Sequence, residues 1–143
     1  GPVKDKAYWD SCLRKISVLP SNIKVQYKGE IHPDNVEKAL HKADVFIMPS
    51  KSENYGHAII EALSAGLPVI TSRHTPWQNL QEHKAGFNTG ESETELAEAI
   101  AFFASMDSTE LKKWSATACT YALERTDVDA ISMQYESLFA VAC

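Results

Sequence analysis

The spacing of apolar and polar residues changes along the chain, and it predicts strands in some segments and helices in the segments between them. Two short apolar runs, Asp44–Met48 and Leu67–Thr71, are typical of strands that are buried on both faces in a parallel sheet. A weaker strand is predicted over Gly86–Thr89, and the apolar–polar alternation of Ile23–Lys28 indicates a half-buried strand near an edge. These strands make a thin sheet for a chain of 143 residues.

Helices are predicted between the strands, because apolar residues recur there every three or four positions. The predicted helices run over Lys4–Val18, Pro33–Lys42 and His57–Ala65, with others beginning at Pro76, Ser92, Ser108 and Asp127. Ser92 and Glu95 have the spacing of a capping box. Strands that alternate with helices are typical of βαβ units, so the sequence predicts a Rossmann-like, three-layer α/β/α fold with a short parallel sheet.

Charge and cysteine content exclude several classes of protein. Lys and Arg number 14 against 19 Asp and Glu, a net charge of −5, which argues against a nucleic-acid partner because such proteins need a concentrated basic face. Three cysteines, Cys12, Cys119 and Cys143, are too few and too scattered for a disulfide framework, so we expect a cytoplasmic protein. The five histidines do not have the spacing of a zinc site, and we expect no metal.

The loop between the first buried strand and the following helix is the richest candidate for chemistry. Ligands of open parallel sheets bind outside the carboxyl ends of the strands, which is where Pro49–His57 leaves the sheet. Unpaired N–H groups at the helix start can hold a phosphate, and Gly56 lets the backbone approach a ligand closely. The same features fit an ordinary strand-to-helix loop, and the pattern alone leaves both interpretations open.

Glu61 and Trp77 each have two interpretations. Glu61 lies in the nearly all-apolar stretch Ala58–Leu63, which predicts a buried helix and a carboxylate that must be paired or bound. It could accept hydrogen bonds from ligand hydroxyls, or it could pair with a Lys or Arg or reach solvent. Trp77 could form a wall of a ligand pocket, or it could pack inwards near a helix begun by Pro76, and the second interpretation is favoured.

Glu53 and Glu61, separated by seven residues, match the E-x7-E signature of retaining glycosyltransferases with the GT-B fold. The surrounding run, Ala43–Ser50, Glu53–Gly56 and Glu61–Ile70, is more specific than the two glutamates. It resembles the C-terminal, donor-binding domain of family 4 glycosyltransferases (glycosyl transferases group 1), and the resemblance extends from about Gly1 to Phe103. The E-G-F-G of that family is Glu53-Asn54-Tyr55-Gly56 here, which keeps the aromatic residue and the last glycine.

The resemblance implies a role for each residue of this segment. Glu53 is the implied catalytic residue, binding hydroxyls of the transferred sugar, and a role as covalent nucleophile is not favoured. Glu61 would accept hydrogen bonds from the ribose hydroxyls. The implied donor-binding residues together are Ser52, Asn54, Tyr55, Gly56, His57 and Glu61. Amides around Tyr55, Gly56 and His57 would hold sugar and phosphate oxygens, with the nucleotide diphosphate sugar as substrate and no metal or other cofactor required.

The resemblance also implies that residues 1–143 form a single partial domain, truncated at its N-terminal side. The acceptor domain of the family and its diphosphate-neutralising Arg and Lys have no counterpart here. We therefore expect the isolated chain to be inactive and to self-associate through an uncovered sheet edge. The full-length enzyme would move a sugar to a glycan or lipid-linked acceptor, with peripheral membrane association left open. The alternatives are a non-catalytic phosphate-binding or interaction module of the same fold and a sugar-nucleotide epimerase.

Overall fold

A computed structural model describes residues 2–126 of the chain. Its contacts divide the chain into two compact units, Gly1–Val36 and Glu37–Cys143, and each is described by itself. The helix predicted from Asp127 and the last cysteine, Cys143, lie outside the described residues.

For most of the chain, helices and strands occur in the order that the sequence predicts. In order they are α1 (Lys6–Ser17), a 3-10 turn (Pro33–Asn35), α2 (Val36–Leu40), β1 (Phe46–Met48), α3 (His57–Ser64), β2 (Val69–Ser72), β3 (Gly86–Thr89), α4 (Glu93–Ala104) and α5 (Ser108–Thr126). None of the described helices is long and apolar enough to cross a membrane.

The first unit consists of α1 and an extended segment. The Asp5 carboxylate caps α1 by accepting a hydrogen bond from the Tyr8 amide at 2.9 Å. The strand predicted over Ile23–Lys28 is wrong, because this segment forms no strand and all six of its residues are exposed. A strand needs a neighbouring strand to complete its ladder, and the sheet of the described residues contains only β1, β2 and β3.

The second unit is built on a parallel sheet with the strand order β1-β2-β3. The central strand, β2, is buried throughout, and its successive side chains point to opposite faces of the sheet. Val69 therefore packs with residues of α3 and α5, whereas Ile70 packs with residues of α4. Helices thus cover both faces within the described residues of this unit, which confirms the predicted α/β fold class.

No helix begins at Pro76, so that prediction is wrong. Residues 73–85 form turns, in which Asn79 and Lys84 have positive φ values of 60° and 51°. A left-handed residue interrupts a right-handed helix. The Asn88 side chain also bridges this segment, donating to the Trp77 carbonyl at 2.7 Å and accepting from the Leu80 amide at 3.1 Å.

The capping box predicted at the start of α4 forms only in part. The Ser92 hydroxyl accepts a hydrogen bond from the Thr94 amide at 3.2 Å, as a cap does. The Glu95 carboxylate does not return to Ser92; it accepts a hydrogen bond from the Gly90 amide at 2.7 Å. The reciprocal half of the box is therefore replaced by a contact with the end of β3.

β1 is an edge strand in the sheet of the described residues. Ile47 at its centre is 44% exposed. A groove of about 460 Å³ lies beside it and is lined mainly by apolar side chains, including Ile70, Phe103 and Met106. The structure thus has the uncovered apolar edge that the sequence led us to expect, while self-association through this edge stays a prediction.

Candidate functional site

Side chains at the end of β2 hold the loop that leaves β1. The Thr71 hydroxyl donates to the Met48 carbonyl at 2.8 Å, and the Ser72 hydroxyl donates to the Ser50 carbonyl. Because β1 and β2 are parallel, their carboxyl ends meet at the same edge of the sheet, where ligands of such folds bind. The start of the loop is therefore fixed at the edge that the sequence indicated.

Glu53 is half-buried and its carboxylate is oriented by the loop itself. The Ser50 hydroxyl lies 3.0 Å from Glu53 Oε1 and 2.9 Å from the Ser52 carbonyl oxygen. A hydroxyl has one proton to donate, so the two contacts share it. Ser52 and Asn54 are exposed on the same loop. The predicted catalytic residue is thus held in place without being removed from solvent.

Gly56 begins α3 in a left-handed conformation that favours glycine. Its φ is 74° and its ψ is 56°, and a Cβ there would lie 3.1 Å from Ile59 Cδ1 and 3.2 Å from Trp77 Nε1. In the part of the chain that the structure describes, no side chain caps α3. Within residues 2–126 the amides of His57 and Ala58 donate no hydrogen bond, as expected of a first helical turn. These amides can donate hydrogen bonds to a bound anion.

Two aromatic rings and an imidazole surround the loop at Gly56. Tyr55 is 45% exposed, and its ring centroid lies 5.0 Å from that of His57 and 5.6 Å from that of Trp77. Trp77 is only 4% exposed, which confirms the inward packing predicted for it. Its indole N–H donates to the Tyr55 carbonyl at 2.5 Å. Sequence reasoning missed this bond, for which the only signal was that a buried indole N–H needs an acceptor.

Glu61 is exposed, so of the interpretations that the sequence left open its carboxylate reaches solvent, and the expectation that the helix is buried all round is wrong. α3 buries Ile59, Ala62 and Leu63, and it leaves His57, Glu61 and Ser64 exposed along one side. The helix is covered on one face only, because it lies on one face of the sheet. Within the described residues the Glu61 carboxylate has no ion pair, so it reaches solvent and is open to a ligand.

The predicted residues lie together, but no cluster with metal-ligand character accompanies them. Ser52–His57 form one loop and helix start, and Glu61 follows one helical turn later. In residues 2–126 no group of three or more His, Cys, Asp or Glu side chains is placed to hold a metal ion. The chemistry available at this edge is that of backbone amides, two carboxylates and aromatic faces.

Arg73 follows β2 at the same edge of the sheet and is engaged with a carboxylate. Its Nη2 lies 2.8 Å from Glu95 Oε2, and this oxygen also accepts from the Gly90 amide at 2.7 Å. The backbone hydrogen bond from Gly90, followed by the charge of Arg73, lowers the pKa of Glu95. Sequence reasoning did not find this pair. Arg73 is thus partly neutralised by Glu95, and its side chain stays exposed.

Comparison with known proteins places these features in a family. The chain is 38% identical to the sulfoquinovosyl transferase SQD2 of Arabidopsis thaliana over 73 residues, which are 47% of this chain and 14% of that protein. Its fold is similar to Anabaena Alr3699/HepE, solved in complex with UDP-glucose (TM-score 0.70, 22% identity), over 96% of this chain and 38% of that one.

A second solved structure has the same fold. It is WaaG, a glycosyltransferase involved in lipopolysaccharide biosynthesis, with a TM-score of 0.64 and 24% identity over 82% of this chain and 31% of that one. The chain thus spans well under half the length of each of these three proteins. The family model described as glycosyl transferases group 1 matches residues 11–119, which include the whole loop and α3. This chain belongs to the glycosyl transferases group 1.

Proposed function

We propose that this chain binds the nucleotide diphosphate sugar donor of a retaining glycosyltransferase. The observation that carries the proposal is the start of α3. There the left-handed Gly56 leaves the amides of His57 and Ala58 without partners in the described residues, and the exposed Glu61 carboxylate lies one turn further along. Amide donors at a helix start suit a diphosphate, and one carboxylate with two acceptor oxygens suits a pair of adjacent ribose hydroxyls.

The diphosphate is the part of the donor that the helix start would bind. The unpaired amides and the positive end of the helix dipole both favour an anion there. When the sugar departs, negative charge grows on the leaving diphosphate. Donors that are already oriented towards it stabilise that charge without reorganising, so the same groups would both bind the donor and promote its cleavage.

The two carboxylates would divide the remaining contacts. Glu61 on α3 would take the ribose hydroxyls. Glu53, oriented by the Ser50 hydroxyl at 3.0 Å, would take hydroxyls of the transferred sugar as the catalytic residue. Ser52, Asn54 and the exposed Tyr55 ring would line the donor between them. Catalysis in this arrangement is mainly positioning, and it requires no metal.

The proposal also covers the reaction of the full-length enzyme. The full-length enzyme would transfer the sugar to a glycan or lipid-linked acceptor in the cytoplasm, a location that the scattered cysteines support. UDP is the first nucleotide to test, because Alr3699/HepE was solved with UDP-glucose. The chain alone would bind donor without transferring sugar.

A thermal-shift panel tests the proposal. UDP, GDP, ADP and their sugar conjugates are added to the wild-type chain, to Glu61→Gln and to Glu124→Gln, a matched change of an exposed glutamate on α5. A ligand at about 100 times its Kd adds roughly 2.7 kcal/mol, which raises Tm by several degrees. We expect one nucleotide to stabilise the wild type and Glu124→Gln but not Glu61→Gln. No stabilisation by any of them, or equal stabilisation of Glu61→Gln, would contradict the proposal.

A further inference from the structure

Trp77 lies outside the Glu53–Glu61 motif, yet it contacts the loop directly before α3. Its indole N–H donates to the Tyr55 carbonyl at 2.5 Å, across 22 residues of sequence. Trp77 is itself held firmly: it is 4% exposed, its carbonyl accepts from Asn88 Nδ2 at 2.7 Å, and its ring contacts that of Tyr121 at 6.3 Å between centroids. The indole is therefore a rigid anchor for the loop.

This anchor determines the direction of the next amide. The described residues contain no cis peptide bond, so the peptide that joins Tyr55 to Gly56 is trans and planar. In a trans peptide the carbonyl and the N–H point in opposite directions. Because the Tyr55 carbonyl is held against the buried indole, the Gly56 N–H points away from it, towards the side of the loop opposite Trp77.

The conformation of Gly56 turns the amides of the next residues to the same side as the Gly56 amide. A left-handed residue followed by right-handed helical residues turns successive N–H groups towards a common concavity that suits an anion. Glycine by itself does not hold one such conformation, because its backbone has wide freedom. The hydrogen bond from the Trp77 indole to the Tyr55 carbonyl restrains the backbone directly before Gly56. It also polarises the peptide and strengthens its N–H as a donor.

We infer that Trp77 is a positioning residue that directs the Gly56 amide at the diphosphate of the donor. The inference rests on the proposed function and deepens it. The indole affects the contact with the phosphate and not the contact between the ribose and Glu61, so the two parts of the ligand can be tested separately. Loss of the indole N–H should therefore weaken binding only of ligands that carry the diphosphate.

The test compares two Trp→Phe variants with two probes. Trp77→Phe removes the N–H and keeps an aromatic ring, and Trp114→Phe makes the same change in the separate cluster around Phe87 and Phe103. Dissociation constants for UDP and for uridine are measured by NMR titration. We expect Trp77→Phe to weaken UDP binding about tenfold, as loss of one well-directed charged hydrogen bond does, with uridine binding unchanged. Trp114→Phe should alter neither.

The outcomes separate the inference from the function on which it rests. If Trp77→Phe binds UDP as the wild type does, the inference fails and the donor site stands. If UDP and uridine binding fall by the same factor, Trp77 is merely structural and the inference also fails. If the wild type binds none of UDP, GDP and ADP, the proposed function fails and the inference with it; if it binds GDP or ADP instead of UDP, that diphosphate and its nucleoside replace UDP and uridine in the comparison.

A measurement on the wild type alone decides the matter if Trp77→Phe does not fold. In ¹⁵N-labelled protein, UDP should shift the Gly56 amide resonance, and uridine should leave it unchanged. The indole N–H of Trp77 should exchange slowly with D₂O both with and without UDP. A Gly56 amide that does not respond to saturating UDP, or an indole N–H that exchanges rapidly, would overturn the inference.

Discussion

Replacement of Gly56 by alanine should damage both stability and donor binding. At φ 74° the left-handed conformation costs an alanine about 1–2 kcal/mol of folding free energy. Its Cβ would also lie 3.1 Å from Ile59 Cδ1 and 3.2 Å from Trp77 Nε1, so these buried side chains must move, which costs about 1 kcal/mol more. The sum is about 2–3 kcal/mol, or a fall in Tm of roughly 9–13 °C for a unit of the size of Glu37–Cys143.

Gly66→Ala is the matched control at the other end of the same helix. Gly66 has a φ of 78°, and the closest atom to its Cβ would be the rotatable Ser115 hydroxyl at 2.8 Å, so the variant carries mainly the conformational cost. Thermal unfolding and UDP titration are run on both variants. Gly56→Ala should be the less stable and should lose UDP binding, whereas Gly66→Ala keeps it. Equal Tm values together with unchanged UDP binding in Gly56→Ala would show that neither the buried contacts of Gly56 nor its conformation matters in this way.

Three further predictions concern the loop, the sheet and the end of β3. Ser50→Ala removes the hydroxyl that lies 3.0 Å from Glu53, so calorimetry should show weaker binding of UDP-glucose but unchanged binding of UDP; an equal loss for both would count against it. Gly86→Ala places a Cβ 1.8 Å from the Val69 carbonyl oxygen and should cost more than about 3 kcal/mol in urea unfolding; a wild-type midpoint would contradict this. Glu95 has a lowered pKa, so its stabilisation is present at neutral pH and is lost as the pH falls through that lowered pKa. The Tm of Glu95→Gln should therefore lie below that of the wild type at neutral pH and approach it in acid, and a constant difference would disprove the linkage.

The positions of the strands were the most predictable part of the fold. β1 and β2 begin two residues after their predicted starts, and β3 has its predicted bounds. The predicted burial on both faces is confirmed for β2 but is wrong for β1, where Phe46 and Met48 are half-buried and Ile47 is exposed, because β1 lies at the edge of the sheet of the described residues. The segment Ile23–Lys28 shows the limit of this reasoning. Its alternation is compatible with a strand, but alternation cannot supply the neighbouring strand that the ladder requires.

The candidate site was predictable in position but less so in its environment. The loop and α3 lie where the E-x7-E pattern indicated, yet Glu61 is exposed although its neighbours in sequence are apolar. Which side of a short helix stays open depends on tertiary packing, and eight residues carry little periodic signal. The bond between Trp77 and Tyr55 joins positions 22 residues apart, and no local pattern encodes it.

A crystal structure of the chain with UDP would show whether the start of α3 binds the diphosphate. We expect diphosphate oxygens at about 3 Å from the amide nitrogens of Gly56, His57 or Ala58, with the ribose hydroxyls on the Glu61 carboxylate. A diphosphate bound elsewhere, for example on Arg73 in place of Glu95, with the start of α3 unoccupied, would contradict this expectation.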